Sequence, residues 1–535
     1  MFSYDAHPLL SKPIIKGRVA QSVARPVMYI TFIGIIGKCL SLVRDINVAS
    51  VFGLIGASDV YFYASTILLL ITAIITQSIN ATIIPVLSRA KLRGGDAEKS
   101  RLFNNIISCV LLFSFLAVIA LLLISLWPAG IALLSPGFDE EQRSSFVLMI
   151  QLGAPSIIFL SIVVANQSYL HTEARYMETA FSELILATVG IFFMLYFADS
   201  WGLKILIIAI VVAPILQVTV QRLGFRGLAF RYKPYINLYD RDIKVIAILL
   251  IPVLISTGIS DVSKLIDQAL GSTLAAGSLS ALAFGGKING LVIGICIVPL
   301  VTVIFPSLSR SAASADYDEL RRELRRVVII VIMITLPVTL AILVLSKNIV
   351  AVIFERGSFD SNATLITSEV LFFYSLGIVS SGLRLILIKV FYSLQDTITP
   401  VKYAVIASAL NIVLNFILIG PLEHKGLALA TSLSGWVLTF LLISSLRGKI
   451  GNIVSRDMAS SVIKSGLSCL VMLIAVVFLE NLLLNGEKLL VNETLGLILV
   501  GMLGFIIYVS SLVMMKVEEV MWVIRMFHNK PNKEI

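Results

Sequence analysis

Long apolar runs separated by short polar segments dominate this chain of 535 residues. A run of about 18 or more apolar residues is long enough to cross the hydrocarbon core of a membrane as an α-helix. The runs predict fourteen transmembrane spans, at 27–43, 60–87, 103–127, 145–168, 180–198, 203–221, 243–270, 278–305, 327–346, 366–388, 401–419, 426–446, 461–480 and 495–515. The pattern therefore predicts an all-α polytopic membrane protein.

The basic residues alternate between the two sides of this predicted ladder of spans. Of the 42 Lys and Arg residues, most fall in segments on one side, and the other side has seven: Arg44, Arg143, Lys204, Lys347, Arg356, Lys425 and Lys488. Cytoplasmic loops of membrane proteins carry the excess of basic residues. Both termini are therefore predicted to be cytoplasmic.

The chain resembles itself when it is shifted by about 221 residues. The motif Pro-x-Leu-Ser-Arg occurs at 85–89 and again at 306–310, and Gly56 aligns with Gly277. Two six-helix repeats related by an axis along the membrane normal fit this spacing, and chance similarity of apolar segments is the alternative. The division predicts a basic N-terminal segment, an N-lobe, a basic linker, a C-lobe, two extra spans and a tail at 1–26, 27–221, 222–242, 243–446, 447–515 and 516–535.

Composition excludes several classes of protein. With 58% hydrophobic and 14% charged residues, and a mean hydropathy of +0.97, the chain is not a soluble globular protein. The net charge of +10 lies in cytoplasmic loops, so no nucleic-acid partner is expected. The basic, aromatic linker is expected either to lie on the inner leaflet or to be a solvated connector. The four cysteines have unrelated spacings, so no metal and no cofactor is expected.

Charged residues inside the predicted spans are the first candidates for function. A charge at the membrane centre costs about 2.5–3.5 kcal/mol unless it finds a partner or water. Lys38 in the first span and Lys287 in the eighth, beside Asn289, have no acidic residue within one helical turn. We therefore expect both lysines to face a wet cavity or an anionic ligand. The eighth span also has four glycines, for which close packing and hinge bending are equal alternatives: Gly285, Gly286, Gly290 and Gly294.

Other charges have simpler explanations beside the functional one. Arg44 and Asp45 lie at the outer end of the first predicted span, where ordinary interfacial roles are the alternative. Asp59 opens the second span and could cap that helix. In the seventh span three charges are spaced by three residues and could neutralise one another: Asp261, Lys264 and Asp267. Arg384 in the tenth span is expected to reach the inner surface.

Several short motifs are colinear with those of one transporter family over residues 25–450. They are Leu42-Val-Arg-Asp45, Val51-Phe-Gly53, Ala57-Ser-Asp59, Phe354-Glu-Arg-Gly-Ser-Phe359, Tyr392-Ser-Leu-Gln-Asp396, Thr399-Pro-Val-Lys402 and Gly420-Pro-Leu-Glu-His-Lys-Gly-Leu427. As a set they resemble the MurJ/MviN family of lipid II flippases, in the MOP transporter superfamily. The resemblance implies a V-shaped transporter with two lobes, fourteen helices and a cationic central cavity.

The same resemblance implies a function. It implies alternating access that carries an undecaprenyl-diphosphate-linked saccharide, in first place the peptidoglycan precursor lipid II, to the outer leaflet of the bacterial cytoplasmic (inner) membrane. A monomer is expected. The energy source is left open between a coupling ion, the membrane potential and a substrate gradient. An exporter of another lipid-linked glycan, such as an exopolysaccharide or O-antigen repeat, is the alternative.

Site residues follow from matching positions in the family motifs. The resemblance implies substrate-binding roles for Lys38, Arg44, Asp59 and Lys287, and cavity or gating roles of lower weight for Asp45, Asn289 and Lys264. The family more often has arginine at the two lysine positions, and a further family arginine falls at Thr72. Lysine is a point charge, whereas arginine binds a diphosphate through two parallel hydrogen bonds. These departures keep the other lipid-linked glycans open.

Two rival classes remain. A multidrug or ion-coupled exporter of the same superfamily would share the topology, but it would be expected to have an acidic cation site. A membrane enzyme such as a glycan polymerase would need catalytic acids in a sizeable outer loop. The outer loop at 128–144 does contain Asp139-Glu140-Glu141, but it is short, and adjacent acids in a turn are usually only solvated. We therefore expect a transporter that is not an enzyme.

Overall fold

Helices joined by non-helical connections form the part of the chain that the computed structural model describes. The described residues are 18–314, 316–483 and 492–521, without the side chains of 18–31, 77–82, 249–257 and 259–260. The helices are α1 Arg18–Phe52, α2 Gly56–Ser125, α3 Pro128–Leu134, α4 Glu140–Gly153, α5 Ser156–Thr172, α6 Tyr176–Trp201, α7 Lys204–Gly224, α8 Arg241–Gly271, α9 Ser278–Cys296, α10 Val298–Ala313, α11 Tyr317–Phe354, α12 Ser361–Ser375, α13 Ile378–Ser393, α14 Ile398–Ile450, α15 Arg456–Leu483 and α16 Glu493–Met514.

The predicted all-α polytopic membrane fold is confirmed. Each predicted span coincides with one helix or with two consecutive helices. In the described part of the chain, ten helical stretches are long and apolar enough to cross a membrane, and the bent pair α12 and α13 makes an eleventh. The count of fourteen stays a prediction. The N-terminal segment up to residue 17, the outer loop 484–491 with Lys488, and the tail from 522 lie outside the described residues.

Two helices are longer than single spans because their connecting segments are also helical. Helix α2 contains the predicted spans 60–87 and 103–127, and it departs from helical geometry only at Gly94 and Gly95. The segment between them is rich in Ala, Lys, Arg and Glu, which favour helix, so the backbone continues past the membrane surface until the glycines. Helix α14 likewise joins two predicted spans and breaks only at Glu423, where φ is 51°.

Three predicted spans are broken within the apolar run. The fourth breaks between α4 and α5 at Pro155, and the tenth between α12 and α13 at Gly377, with a bend of 43°. These two breaks are 222 residues apart, as an internal duplication predicts. The eighth breaks at Ile297, just before Pro299, and not at its glycines. A proline removes one helix hydrogen bond and crowds the preceding turn, which accounts for the breaks at Pro155 and Pro299.

The apolar cores show where the two halves of the molecule meet. We use "first half" for α1–α7 and "second half" for α8–α14. One core cluster contains residues of both halves at the ends that the basic-residue pattern predicts to be outer, and we call these the outer ends; it includes Val60, Phe62, Phe284 and Phe354. Towards the inner side, one further cluster consists of α10, α11, α13 and α14 residues, and another of α2 and α5 residues with the start of α8. Helices α15 and α16 pack against α11 in a fourth cluster.

The short outer loop with three adjacent acids has a structural role. The Asp139 side chain accepts a hydrogen bond from Gln142 N at 2.8 Å, and Gln142 Oε1 accepts one from Asp139 N at 3.1 Å. This reciprocal pair is a capping box at the start of α4. The acids Glu140 and Glu141 occupy the first turn of that helix, where negative charge is favourable. The solvated, structural interpretation of this loop fits the structure.

Candidate functional site

The outer ends of the two halves are joined through Asp59. Its carboxylate accepts hydrogen bonds from Gly277 N at 2.7 Å, from Ser280 N at 2.7 Å and from Ser280 Oγ at 2.5 Å. Gly277 and Ser280 are the N-cap and third residues of α9, so Asp59 caps a helix of the other half. The alternative that Asp59 caps its own helix is wrong, because α2 begins after Ile55 without a side-chain cap.

A second contact joins α1 to the loop after α11. Ser358 N donates to Ser50 O at 2.7 Å. Gly53 and Gly357 have φ of 58° and 59°, and a Cβ on them would lie 2.3 Å from Ser358 O and 2.2 Å from Ser50 O. Only glycine permits this approach of the two backbones. We call the contacts made by Asp59 and by these two loops the outer seal.

Beneath the outer seal, Asp45 of α1 binds cations from both halves. Its Oδ1 lies 3.0 Å from Arg44 Nη2 and 2.8 Å from Lys287 Nζ of α9. Lys287 lies nine residues into α9, which is about 13 Å below the start of that helix. The expectation that Lys287 has no acidic neighbour holds along its own helix only, because its partner comes from the opposite half.

The positions of Arg44 and Asp45 differ from the sequence prediction. Helix α1 continues to Phe52, so both residues lie inside the helix and not at its end. Asp45 is buried, and the stem of Arg44 packs so closely on α6 that a Cβ on Gly190 would lie 2.6 Å from Arg44 Cδ. Ordinary interfacial roles for these two residues are therefore wrong. The prediction ended the span at residue 43 because it stopped at the first charged pair.

Two aromatic rings flank Lys287, and sequence reasoning missed both. Its Nζ lies 4.7 Å from the centre of the Phe62 ring and 5.4 Å from that of Phe284. The two rings contact each other edge to face at 5.0 Å across the halves. Ring faces attract a cation, so they stabilise the ammonium group without neutralising it. Helical spacing could have given a hint, because Phe284 lies three residues before Lys287.

Lys38 lies deeper in the molecule, and it too contacts the second half. It is half-buried, six residues before Arg44 on α1. A Cβ on Gly294 of α9 would lie only 2.0 Å from Lys38 Nζ, so the ammonium group occupies the space that the missing side chain leaves. Gly294 was among the four glycines of the eighth span, and the structure gives it a packing role. Gly290 has open space around it.

These side chains form a layer between the halves with more positive than negative charge. We define the cation layer as Lys38, Arg44, Asp45 and Lys287. It has three cations and one acid, which gives a formal surplus of two positive charges. Asn289, two residues after Lys287, has a buried Oδ1 that is without a hydrogen-bond partner in the described part of the chain. The layer can attract an anion, and Asn289 could accept a hydrogen bond from a hydroxyl group.

The seventh-span charges divide into two separate contacts. Lys264 Nζ pairs with Asp261 Oδ1 at 2.9 Å, as the spacing predicted. The side-chain amide of Asn415, on α14, instead donates to Asp267 Oδ1. Both contacts lie within the second half. The ammonium group of Lys264 therefore contacts Asp261 and, among the described residues, no member of the cation layer.

Two further positions bear on the charge of the site. Thr72 is buried, and its hydroxyl donates to Leu68 O at 2.7 Å, so it adds no cation where the family pattern has one. Arg384 is half-buried, and a Cβ on Gly435 would lie 3.7 Å from its Nη1. Its guanidinium therefore lies against α14 and inside the second half. The described side chain does not support the expectation that Arg384 extends to the inner surface.

Comparison with known proteins identifies relatives. The family model described as "Lipid II flippase MurJ" matches residues 48–496. The chain is 26% identical over 424 residues to a probable lipid II flippase MurJ of Rickettsia prowazekii, covering 78% of this chain and 83% of the relative. It is also 26% identical over 444 residues to that of Vibrio cholerae, covering 80% and 83%.

Solved structures show the same fold. A lipid II flippase MurJ in an inward closed conformation superposes with a TM-score of 0.75 at 22% identity, covering 90% of this chain and 98% of that one. An inward-facing MATE multidrug transporter of the MOP superfamily gives 0.65 at 12% identity, covering 78% and 95%. At these identities the structural likeness shows the fold alone. The family match extends over most of the chain, and the protein belongs to the lipid II flippase MurJ family.

Proposed function

We propose that this protein flips a lipid-linked saccharide diphosphate, and in first place lipid II, from the inner to the outer leaflet by alternating access. The observation that carries the proposal is the cation layer, with its surplus of two positive charges between the halves. A diphosphate headgroup needs a hydrated, cation-lined route through about 30 Å of hydrocarbon. A transporter of this kind performs no covalent chemistry on its substrate.

The arrangement of the layer suggests how a diphosphate is held. Asp45 neutralises part of the charge of Arg44 and Lys287 while the site is empty. An incoming diphosphate competes with that carboxylate for both cations, and Lys38 lies about 9 Å further along α1 towards the inner side. Lys38 is thus positioned to meet the headgroup first. The site is formed within one chain, so we propose that a monomer is sufficient.

The identity of the saccharide is the part of the proposal most open to test. The purified protein should be reconstituted into liposomes with fluorescent lipid II or with a fluorescent polyprenyl-diphosphate-linked exopolysaccharide repeat, and outer-leaflet label measured over time. We expect lipid II to move and the exopolysaccharide precursor to move much more slowly. Faster movement of the exopolysaccharide precursor would favour the alternative function, and movement of neither would contradict the proposal.

We further propose that the protein lies in the cytoplasmic membrane with both termini inside. The alternation of basic residues supports this orientation. A reporter active only in the periplasm should give no signal when fused after Lys533, and it should be active when fused into the predicted outer loop 481–494. The reverse pair of results would contradict the orientation.

A further inference from the structure

The segment that joins the two halves is bound along its length to α2. We call residues 225–240 the strap; it is non-helical and follows α7. Three buried side chains of α2 bond to its backbone at alternate residues. Asn104 Nδ2 donates to Arg231 O at 3.1 Å, and Asn104 Oδ1 accepts from Lys233 N at 2.9 Å. Ser108 Oγ accepts from Tyr235 N at 3.2 Å. Asn105 Oδ1 accepts from Asn237 N at 2.8 Å, and Asn105 Nδ2 donates to Asn237 O at 3.0 Å.

Both ends of the strap are also held by the first half. At its start the rings of Phe225 and Phe230 pack against Phe103 and Tyr169, with centroid distances from 4.6 to 6.5 Å within this group. At its end Asp240 pairs with Arg101 at 3.2 Å. The strap is therefore a preorganised surface of the first half. A preorganised surface loses less entropy when it binds a ligand.

The exposed surface of the strap is basic and aromatic. Arg226, Arg231 and Lys233 are exposed, and within the described ranges their side chains form no ion pair. The acids at the end of the strap, Asp240 and Asp242, are already paired with Arg101 and Arg93. Tyr232, Tyr235, Ile236, Leu238 and Tyr239 are exposed as well. Basic and aromatic side chains side by side are typical of the headgroup level of a cytoplasmic leaflet.

The strap lies at that level. The predicted third span begins near residue 103, and the bonds to the strap come from Asn104 to Ser108, within the first two turns of the span. One cleft beside the strap, of about 740 Å³, has Arg101, Asn104, Arg231 and Lys233 in its lining. A neighbouring apolar cleft of about 540 Å³ has Leu111, Leu112, Phe115, Tyr232, Pro234 and Ile236 in its lining.

The apolar cleft opens onto the surface of α2 that faces lipid. Phe115 is 54% exposed, and Phe113 and Leu116 beside it are 58% and 50% exposed, within an apolar span. Such side chains meet acyl chains in a membrane. A cleft that contains the cations Arg231 and Lys233 and an apolar cleft that continues towards the bilayer centre match the two parts of a phospholipid. Soluble anions would use only the cleft with the cations.

We propose that the strap is a binding site for an anionic glycerophospholipid of the cytoplasmic leaflet. The phosphate lies between Arg231 and Lys233, and an acyl chain follows Leu112 and Phe115. This lipid is distinct from the transported one, because the strap lies on the outside of the first half and shares no residue with the cation layer. The bound lipid moves with the first half and fixes the depth of that half in the membrane.

The test uses the full-length protein and lipids of defined headgroup. Binding of phosphatidylglycerol and of phosphatidylcholine is measured by native mass spectrometry for the wild type and for the Arg231→Gln/Lys233→Gln variant. Each basic side chain near an anionic surface strengthens binding by about 1 kcal/mol, which is about fivefold in affinity. We therefore expect the double variant to bind phosphatidylglycerol about 30-fold more weakly. Binding of phosphatidylcholine, which has no net charge, should change little.

A matched control separates a site from general electrostatics. Arg447→Gln/Arg456→Gln removes the same charge from exposed positions at the end of α14 and the start of α15, on the predicted cytoplasmic side. We expect this variant to bind phosphatidylglycerol as the wild type does. An equal loss in the control, or no loss in the strap variant, would overturn the proposal. Displacement of the lipid by millimolar inorganic phosphate would also overturn it, since the site would then recognise a free anion.

A second measurement does not depend on charge. In Tyr235→Trp, the new indole lies at the strap, and its fluorescence should be quenched by phosphatidylglycerol brominated on the acyl chain more than that of the wild type. Absence of additional quenching would place the strap away from lipid and overturn the proposal. All of these measurements are made without a transported substrate, so they are independent of whether lipid II is the cargo.

Discussion

Two aspartates of the first half, Asp59 and Asp45, both bind α9 of the second half, but they bind it in different ways. Asp59 accepts from backbone N–H groups at the N-terminus of α9. Asp45 pairs with the Lys287 side chain of the same helix. Backbone donors are fixed in direction and carry the partial positive charge of a helix N-terminus. Side-chain cations are mobile and can exchange one anion for another.

The difference assigns separate tasks to the two levels. At the outer seal the Asp59 carboxylate accepts hydrogen bonds, within the described part of the chain, only from donors of α9. Because these bonds form or break together, the contact suits a gate that is either closed or open. In the cation layer a single carboxylate binds two cations, and Lys38 has no acidic partner among the described residues. That level suits an exchangeable anion. Variants at the two levels therefore separate the gate from the binding level.

Locking the outer seal should stop transport completely and reversibly. The carboxylate of Asp59 reaches Ser280 N at 2.7 Å, so cysteines at these two positions are close enough to be crosslinked while the outer seal is closed, as alternating access predicts for the inward-open state. We expect oxidation of Asp59→Cys/Ser280→Cys to abolish flipping in liposomes and a reductant to return it to the rate of the same variant before oxidation. Each single cysteine variant controls for the native cysteines. Full transport with a demonstrably complete crosslink would contradict alternating access between these halves.

Removing the two lysines should reduce transport about 100-fold or more, because loss of charged partners for a buried ligand costs about 2–5 kcal/mol. We expect Lys38→Ala/Lys287→Ala to remain in the membrane at normal abundance while flipping is lost, and Lys→Arg at either position to be tolerated. Lys204→Ala, at an exposed outer position, is the matched control. Transport at the wild-type rate in the double alanine variant would exclude the cation layer as the binding level.

Most of the fold could be predicted from the sequence, because apolar runs in a membrane must satisfy their backbone hydrogen bonds internally. Hydropathy could not predict which segments stay helical beyond the apolar runs. The helical segment before Gly94 is polar, and Arg44 and Asp45 interrupt an apolar run that nevertheless stays helical to Phe52. Hydropathy measures transfer into lipid, whereas Asp45 is buried in protein and the helical segment before Gly94 is largely exposed to water.

The site could be predicted only in part. Lys38 and Lys287 were found because charge is costly inside a span, and Arg44 and Asp45 gained their site roles from the family motifs. The structure pairs Asp45 with Arg44 and Lys287, and it places Lys38 against Gly294 of the same α9. The pairing of Lys287 with Asp45 joins residues far apart in the sequence, and no local spacing indicates it. The role of Gly294 was hidden for the same reason. A glycine makes space for a neighbour that only the packing of α1 against α9 identifies.

Weakening the outer seal without changing its shape should expose the binding level to the outside. An asparagine at position 59 has only one oxygen that accepts hydrogen bonds, so one backbone N–H of α9 loses its partner. Leaving this donor unsatisfied destabilises the closed seal by about 1–3 kcal/mol. We expect Asp59→Asn to raise the rate at which an impermeant maleimide labels Gly290→Cys from the outer side by about 5-fold to 100-fold. Ser280→Ala, which removes only the hydroxyl donor, should raise it less. Unchanged labelling would mean that Asp59 does not hold the seal.

The smallest effect should come from adding one methyl group beside Lys38. A Cβ at Gly294 would lie 2.0 Å from Lys38 Nζ, and the flexible lysine can move away, so the fold should be unchanged. At an effective dielectric constant of about 20, moving a cation from about 3 to about 4 Å from an anion weakens their attraction by about 1.4 kcal/mol, or about tenfold. We expect Gly294→Ala to weaken the apparent affinity for lipid II by about threefold to tenfold in the liposome assay. Gly290→Ala, on the same helix with nothing within 4 Å of its Cβ, is the matched control and should leave it unchanged. Equal affinity in the two variants would mean that the position of the Lys38 ammonium group is unimportant for binding, and the cation layer would then be reduced to Arg44 and Lys287.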